Sequence, residues 1–451
     1  MDGASRRISA GRLLAYAGPA LPVAMALYAV SVVLPGLLTE TGRISPAELG
    51  LVLLLTRVAD VGFDIAVGAA SDATPGRFGG RKAWIAVGGA VFAASYLALT
   101  DPPRLVSGLW LFLALIGFYL GWSMIVVPHN AWGSELAGGY NERSRLFAYR
   151  VGAGYAGSLL FAVTPLAPIF ATHAFTAETL RATGWIVAGL VAASTLACVA
   201  LAPSSRPRSA APFRPAALLD VLRRNRPFQL YAAISVLNGL SNGMFIAVVF
   251  LYQTRYLRLA DFAWLSLVVY IGANLLALPL WQAVMARLGK TRAWGLGLAL
   301  AGAVYPPMAV LTPGPGALPW SLLIFAVAGA AFSVSNVATP AVLGDIVDYE
   351  RLRSGRQLTG PLFAVQSLLD KFNSAIGGGA AFLLIGAFGY SASGPLTPMA
   401  VTGLQLSHLF IPTLLNFVAL VLLWRFPLTA RRQQTIARRL ARSAPSPGSV
   451  A

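Results

Sequence analysis

The sequence predicts an all-α membrane protein of twelve transmembrane helices, arranged as two pseudo-symmetric six-helix halves. Three observations predict it: an oily composition, twelve long apolar runs, and a motif that returns after six of those runs. Of 451 residues, 57% are apolar and only 11% charged, with mean hydropathy +0.69. Soluble domains carry about 25% charged residues, so this chain cannot cover itself with polar surface in water. The same composition excludes a disordered chain. A single cysteine, Cys198, excludes an intrachain disulfide and a thiol-rich metal site.

A membrane helix needs roughly 20 apolar residues to cross the hydrocarbon layer. Such runs fall at Leu13–Leu38, Ala47–Ser71, Trp84–Leu99, Leu105–Trp132, Phe147–Phe170 and Gly184–Leu201 in the first half. The second half has Phe228–Tyr256, Phe262–Ala286, Trp294–Leu311, Pro319–Val342, Pro361–Phe388 and Met399–Phe426. Domain bounds follow: a bundle over 1–201, a Pro-, Ser- and Arg-rich linker over 202–227, a second bundle over 228–427 and a basic tail over 428–451.

Net charge is +18, with 34 Lys and Arg against 16 Asp and Glu. The N-terminus, the even-numbered loops with their adjoining span ends, and the tail hold 27 of the basic residues, whereas the odd-numbered loops hold five. Lysine and arginine are retained on the cytoplasmic side, so both termini are expected there, in a multi-pass membrane protein. The charge is thus a topology signal, with anionic lipid as the partner of the tail and no nucleic acid. Ser5-Arg6-Arg7 imitates an export signal, but eleven further spans follow. Gly289-Lys290-Thr291 imitates a phosphate loop, yet Val284 stands where the first glycine belongs.

The repeated motif is Arg77-Phe78-Gly79-Gly80-Arg81-Lys82-Ala83-Trp84, matched 210 residues later by Arg287-Leu288-Gly289-Lys290-Thr291-Arg292-Ala293-Trp294. Two six-helix halves joined by a cytoplasmic loop is the major facilitator architecture, in which a solute binds near the midplane between halves that rock against each other.

Two basic residues remain inside spans, Arg57 and Lys371. Ionisable groups at that depth are costly and face cavities or one another. Arg57, Asp60 and Asp64 fall within an arc of about 60° on one helix face. Two neighbouring carboxylates in low dielectric cannot both stay ionised without a cation, a proton or a guanidinium beside them, which makes the pair a cation-coupling device. Lys371 is expected to reach Asp60 or Asp64 across the halves when no cation is bound, with Asp370 facing elsewhere. A different class of function also fits two acids four residues apart followed by Asp72: a magnesium-dependent membrane enzyme acting on a diphosphate lipid. Arg57 on the same face would repel the metal.

The segment Arg57-Val58-Ala59-Asp60-Val61-Gly62-Phe63-Asp64, with Gly68, Ser71-Asp72 and Gly80-Arg81-Lys82, resembles the signature of the glycoside-pentoside-hexuronide:cation symporters, the melibiose-permease-like family. So do Pro128, Glu135-Leu136, Tyr140 and Glu142-Arg143 through Arg150, and Asp345 to Glu350 with Gly355-Arg356, Gly360 and Lys371. The resemblance implies symport of a sugar, glycoside or related solute with a monovalent cation, Asp60, Asp64, Lys371 and Ser123 forming the cation site, with no resident cofactor. Departures matter too. Ile65 replaces the common proline, and Phe63 replaces the amide of sodium-using members. A sodium cage that lacks one oxygen is weakened, whereas a proton needs one acid, so H+ is favoured over Na+. The family's sugar-binding acids are also missing: the first span has none before Glu40, and the fourth carries Val126. Candidate solute contacts are Arg57, Tyr28, Trp122, His129, Asn130, Arg150, Asn238 and Asn242, with Tyr16, Tyr149 and Gln253 behind them. His129 fits helix packing equally well. An amphipathic, lipid-like solute is the alternative cargo. Asp72, Arg81, Lys82, Asp348 and Arg356 are read as cytoplasmic gates, Gly377-Gly378-Gly379 as a close-packing stretch, and the working unit as a monomer.

Overall fold

A computed structural model of the protein describes residues 8–74, 80–103, 106–136, 140–202, 223–355, 358–391, 394–428 and 430–443. The linker over 203–222, the Arg77-Phe78-Gly79 turn and Arg356 lie outside the described residues. The first half consists of α1 (Ala10–Glu40), α2 (Pro46–Ala73), α3 (Arg81–Thr100), α4 (Gly108–Leu136), α5 (Tyr140–Val163) and α6 (Ala177–Leu201). The second consists of α7 (Arg226–Ala247), α8 (Ala260–Leu276 with Leu278–Leu288), α9 (Lys290–Val304), α10 (Leu318–Ser354), α11 (Thr359–Ala387) and α12 (Pro398–Trp424). A further helix, α13 (Ala430–Ser443), carries the tail.

Ten of these are long and apolar enough to cross a membrane, and α8 makes an eleventh when its two pieces, bent by 40°, count as one span. Pro279 opens the second piece of α8, where its missing N–H and its ring break the ladder. The twelfth is α2, whose apolar run is interrupted by Arg57, Asp60 and Asp64. Its start is well fixed. Ser45 accepts from the Glu48 N–H at 3.2 Å, Pro46 takes the first turn, and the Glu48 carboxylate accepts from the Gly108 N–H at 3.0 Å.

The repeated turns share a backbone reason. Gly80 (φ 51°) and Gly289 (φ 88°) both sit just ahead of the third helix of their half, in the positive-φ region that only glycine enters cheaply. The tenth helix runs twelve residues beyond the expected Val342. Its acids do not stop it because they find partners: Asp345 takes Lys290 at 2.6 Å, and Glu350 takes the Asn225 amide at 2.7 Å and Arg353 at 3.2 Å. Gly355 (φ 69°) then ends the helix in a left-handed cap.

Both described ends of the chain lie on one side of the bundle, here the termini face. Toward the opposite face, the two halves share one core that joins Val30, Val33 and Phe175 to Phe250, Tyr270 and Tyr305. Toward the termini face each half has its own core, around Tyr16 and Trp132 in one and around Tyr231, Trp294 and Ile436 in the other. The halves are therefore closed together away from the termini. Glycine makes this closure possible: a Cβ on Gly50 of α2 would lie 2.8 Å from the Gly379 carbonyl and the Leu383 N–H of α11. The three-glycine run expected to allow close packing does so on two sides, with Gly377 against Leu240 and Gly243 of α7 and Gly379 against Gly50 and Leu54 of α2.

Candidate functional site

Arg57, Asp60, Asp64 and Lys371 meet in one cluster between α2, α4 and α11. Arg57 Nη1 stands 3.6 Å from Asp60 Oδ2, its guanidinium 4.1 Å above the Tyr119 ring. One turn nearer the termini, Asp64 Oδ1 accepts from the Ser123 hydroxyl at 2.6 Å, and Asp60 Oδ1 lies 3.3 Å from the same oxygen. From the other half, Lys371 Nζ binds Asp64 Oδ2 and sits 3.8 Å from Asp60 Oδ2. Its ammonium also lies 4.1 Å over the Trp122 ring. The four formal charges cancel.

Burial separates the two acids. The Asp60 side chain is 1% exposed and the Asp64 side chain 18%. Asp60 Oδ2 makes no hydrogen bond among the described residues, although both cations lie within 4 Å. A carboxylate oxygen in that position has room in its lone-pair set for another donor or cation. Asp64 is the accessible member, held by one hydroxyl and by an ammonium that arrives from the opposite half.

The expected solute contacts divide. Arg57 and Trp122 belong to the charged cluster. Half-buried Tyr28 lies on α1. His129 is 1% exposed and its Nε2 is 2.7 Å from the Tyr16 carbonyl, while the Tyr16 hydroxyl donates to the His129 carbonyl at 2.8 Å. Those reciprocal bonds tie α1 to α4, so the ring is committed to packing, and the reading of His129 as a solute contact gives way to that alternative. Asn130 Oδ1 and Arg150 Nε are buried without a hydrogen-bond partner among the described residues. Asn238 and Asn242 lie in the second half, on the wall of a cavity of about 490 Å³ between α7, α10 and α11. Asn238 donates to Asn416 at 3.2 Å and accepts from Ser335 at 2.8 Å. Asn242 accepts from the Tyr270 hydroxyl at 3.0 Å.

Asp370 faces away from Lys371's partners, as its place on the helix requires, and lines this second cavity, where Gln366 donates to its Oδ1 at 2.5 Å. Of the residues read as gates, Asp72, Lys82 and Asp348 make contacts within their own half. Asp72 pairs with Arg81 at 2.8 Å, Lys82 Nζ caps the last turn of α6 at the Val199 and Ala202 carbonyls (2.7 and 3.0 Å), and Asp348 accepts from Gln433 of α13 at 3.1 Å.

Two features escaped the sequence reading. Tyr119 shares a helix face with Trp122 and Ser123, at the three- and four-residue spacing that could have found it. A second polar tie also joins the halves: the Tyr155 hydroxyl of α5 donates to Asn274 Oδ1 of α8 at 2.8 Å, and Asn336 of α10 donates to the same oxygen at 3.3 Å. Asn274 stands 210 residues after Asp64, the spacing of the repeated motif.

A family model described as MFS/sugar transport protein matches residues 15–430, nearly the whole chain. The chain belongs to that family. The MFS/sugar transport assignment makes it a secondary transporter, and the magnesium-dependent enzyme considered from the sequence is set aside. Among individual relatives, it is 25% identical over 409 residues to the glucuronide carrier protein homolog of Escherichia coli strain K12, with 88% of each chain covered. It is also 25% identical over 400 residues to the isoprimeverose transporter of Lactiplantibacillus pentosus, covering 83% of this chain and 79% of that one. A solved structure of a bacterial homolog of the human lysosomal transporter Spinster, in an inward-facing and unoccupied conformation, superposes with TM-score 0.70 at 15% identity. That alignment covers 94% of this chain and all of the other. At such identity the likeness is one of fold, and it agrees with a twelve-helix bundle in two halves.

Proposed function

We propose that this transporter is a symporter that moves a sugar or glycoside together with a monovalent cation by alternating access, as a monomer in a bacterial inner membrane with both termini cytoplasmic. One observation carries the reading: Lys371 of the second half occupies the place beside Asp64 and Asp60 of the first that a coupling cation would take. A cation or proton arriving at Asp64 removes the reason for the ammonium to stay, so loading the site releases a bond between the halves. Solute and cation each shift the balance of the same two states, and their affinities are therefore linked.

The ligand set favours H+. Asp64, Asp60 and the Ser123 hydroxyl supply three oxygen-bearing side chains, and Phe63 adds none, whereas a proton requires only the accessible carboxylate. With the termini cytoplasmic, closure away from them makes this the inward-facing state. The polar lining of the cavity between α7, α10 and α11 supports a hydroxylated cargo over the lipid-like alternative. The relatives' names, a glucuronide carrier protein homolog and an isoprimeverose transporter, point the same way.

The test is uptake of labelled glycosides into proteoliposomes under separate pH and sodium gradients, for the native chain and for Asp64→Asn. The native chain should accumulate solute against its gradient under an imposed pH difference and lose this with a protonophore. Asp64→Asn should retain exchange of solute across the membrane but lose accumulation. Uphill accumulation by Asp64→Asn would overturn the proposal.

A further inference from the structure

We infer that the cavity between α7, α10 and α11 is the solute site, that Asp370 is its anchor, and that it selects neutral polyhydroxylated solutes over sugar acids. The inference rests on the symport reading and adds what that reading leaves open: where the sugar sits and which class of sugar it is. At about 490 Å³ the cavity falls within the roughly 300–1,000 Å³ range of small-molecule sites. Its wall is built for hydroxyl groups. Asn242, Ser335, Asn336 and Gln366 present amides and hydroxyls, and Asp370 is the one ionisable side chain among the lining residues described.

Two details show polar groups waiting for a partner. Gln366 is 7% exposed and Ser235 5%, both line the cavity, and Gln366 Oε1 and Ser235 Oγ have no hydrogen-bond partner among the described residues. Buried polar atoms in native proteins are nearly always paired, so an unpaired pair on a cavity wall fits a ligand that completes them. Gln366 spends its N–H on Asp370 Oδ1, which fixes the carboxylate and leaves Oδ2 to accept from a solute hydroxyl. Phe332 and Phe363 on the same wall add aromatic surface of the kind that the C–H side of a pyranose packs against.

Charge supplies the selectivity. Lysine and arginine are absent from the described lining, so an anionic sugar would bring a second negative charge beside Asp370 with nothing to offset it. Lys371, the adjacent residue, points across the interface to Asp64. One turn of α11 thus serves the solute on one side and the cation on the other, which places the two cargoes close enough to sense each other through a single rigid helix.

The probes are neutral phenyl glycosides of common hexoses and pentoses and the matching phenyl glucuronides, offered to the full chain in proteoliposomes and, as purified protein, in thermal-unfolding assays. Neutral glycosides should protect the native chain from unfolding and glucuronides should not. For Asp370→Asn the KM of the preferred glycoside should rise about tenfold or more, the loss expected for a charged hydrogen bond, while stimulation by the pH gradient persists. Asp370→Glu should recover part of the affinity, which also shows that the site still folds. Unchanged KM in Asp370→Asn, protection by glucuronides in preference to neutral glycosides, or protection by none of the neutral probes would each overturn the inference. Those results leave the Asp64→Asn outcome untouched, so failure here and failure of symport itself are distinguishable.

Discussion

Among the described residues, two polar ties join the halves near mid-depth, and they differ in kind. Between α2 and α11, with α4 beside them, the tie is ionic: Asp64 and Asp60 against Lys371, with Ser123 bridging. Between α8 and α5, with α10 beside them, it is neutral: Asn274 accepts from Tyr155 and Asn336. These are equivalent helices in the repeat, and Asn274 follows Asp64 by the repeat distance of 210 residues. The comparison teaches which tie a cation can control. An amide oxygen that accepts two neutral donors gains little from a proton or sodium ion, whereas an ammonium–carboxylate pair competes directly with one. On the proposed coupling, the ionic tie is the switch and the neutral one a pivot.

The largest effect should come from breaking the switch on one side only. Removing a single partner of a buried ion pair costs about 3–5 kcal/mol because the other charge is left without compensation. Lys371→Met should therefore lower thermal stability markedly and abolish accumulation, since Asp64 can then keep a proton without losing a partner. Adding Asp64→Asn to Lys371→Met should restore much of the stability while accumulation stays absent. Additive losses in the double variant, measured by thermal unfolding, would show that the two side chains do not interact as described.

How much of this was legible beforehand follows from what sets each feature. The span order and the charged face of α2 depend on hydrocarbon thickness and helical period, both local properties of the chain, so the fold class and the transporter function expected from sequence both hold. That Lys371 could meet Asp64 was legible because an ammonium in a membrane has few partners to choose from. What Asp370 faces was not legible, because 100° of helix rotation says where a side chain does not point, and only the packing of α7 and α10 says what it meets. His129 and the Tyr155–Asn274 tie were open for the same reason: a neutral polar side chain at a helix interface has many acceptable partners, and tertiary rotation decides among them. The length of α10 depended on acids finding bases from other helices, which local hydropathy does not register.

A smaller effect is expected where the halves close rather than where they are switched. Gly50 and Gly379 bring α2 and α11 together beside the ionic tie, and a side chain at position 50 would meet backbone atoms that cannot step aside. Gly50→Val should hold the halves apart away from the termini and slow uptake by roughly tenfold, an effect on the order of the 1–3 kcal/mol that overpacking costs. Cation dependence should be retained, because Asp64 and Lys371 are unchanged. A variant that transports at the native rate would mean that this closure is not part of the cycle.

The smallest effect should come from the pivot, and it is the one that decides whether the two ties differ in role. Tyr155→Phe removes a single neutral hydroxyl, and interhelical hydrogen bonds in membranes average about 0.6 kcal/mol, so uptake should fall by no more than about threefold. Asn336 still donates to Asn274, which keeps the acceptor from being stranded. The ratio of uptake with and without a pH gradient should not change, since no charge has been touched. The reverse substitution, Asn274→Asp, gives the neutral tie an acid like the one at position 64 but no ammonium opposite it. It should transport well only where that acid is protonated, falling off as pH rises, while Tyr155→Phe shows no new pH dependence. If Tyr155→Phe instead uncoupled solute from cation, the neutral tie would be a second switch, and the division between switch and pivot would fail.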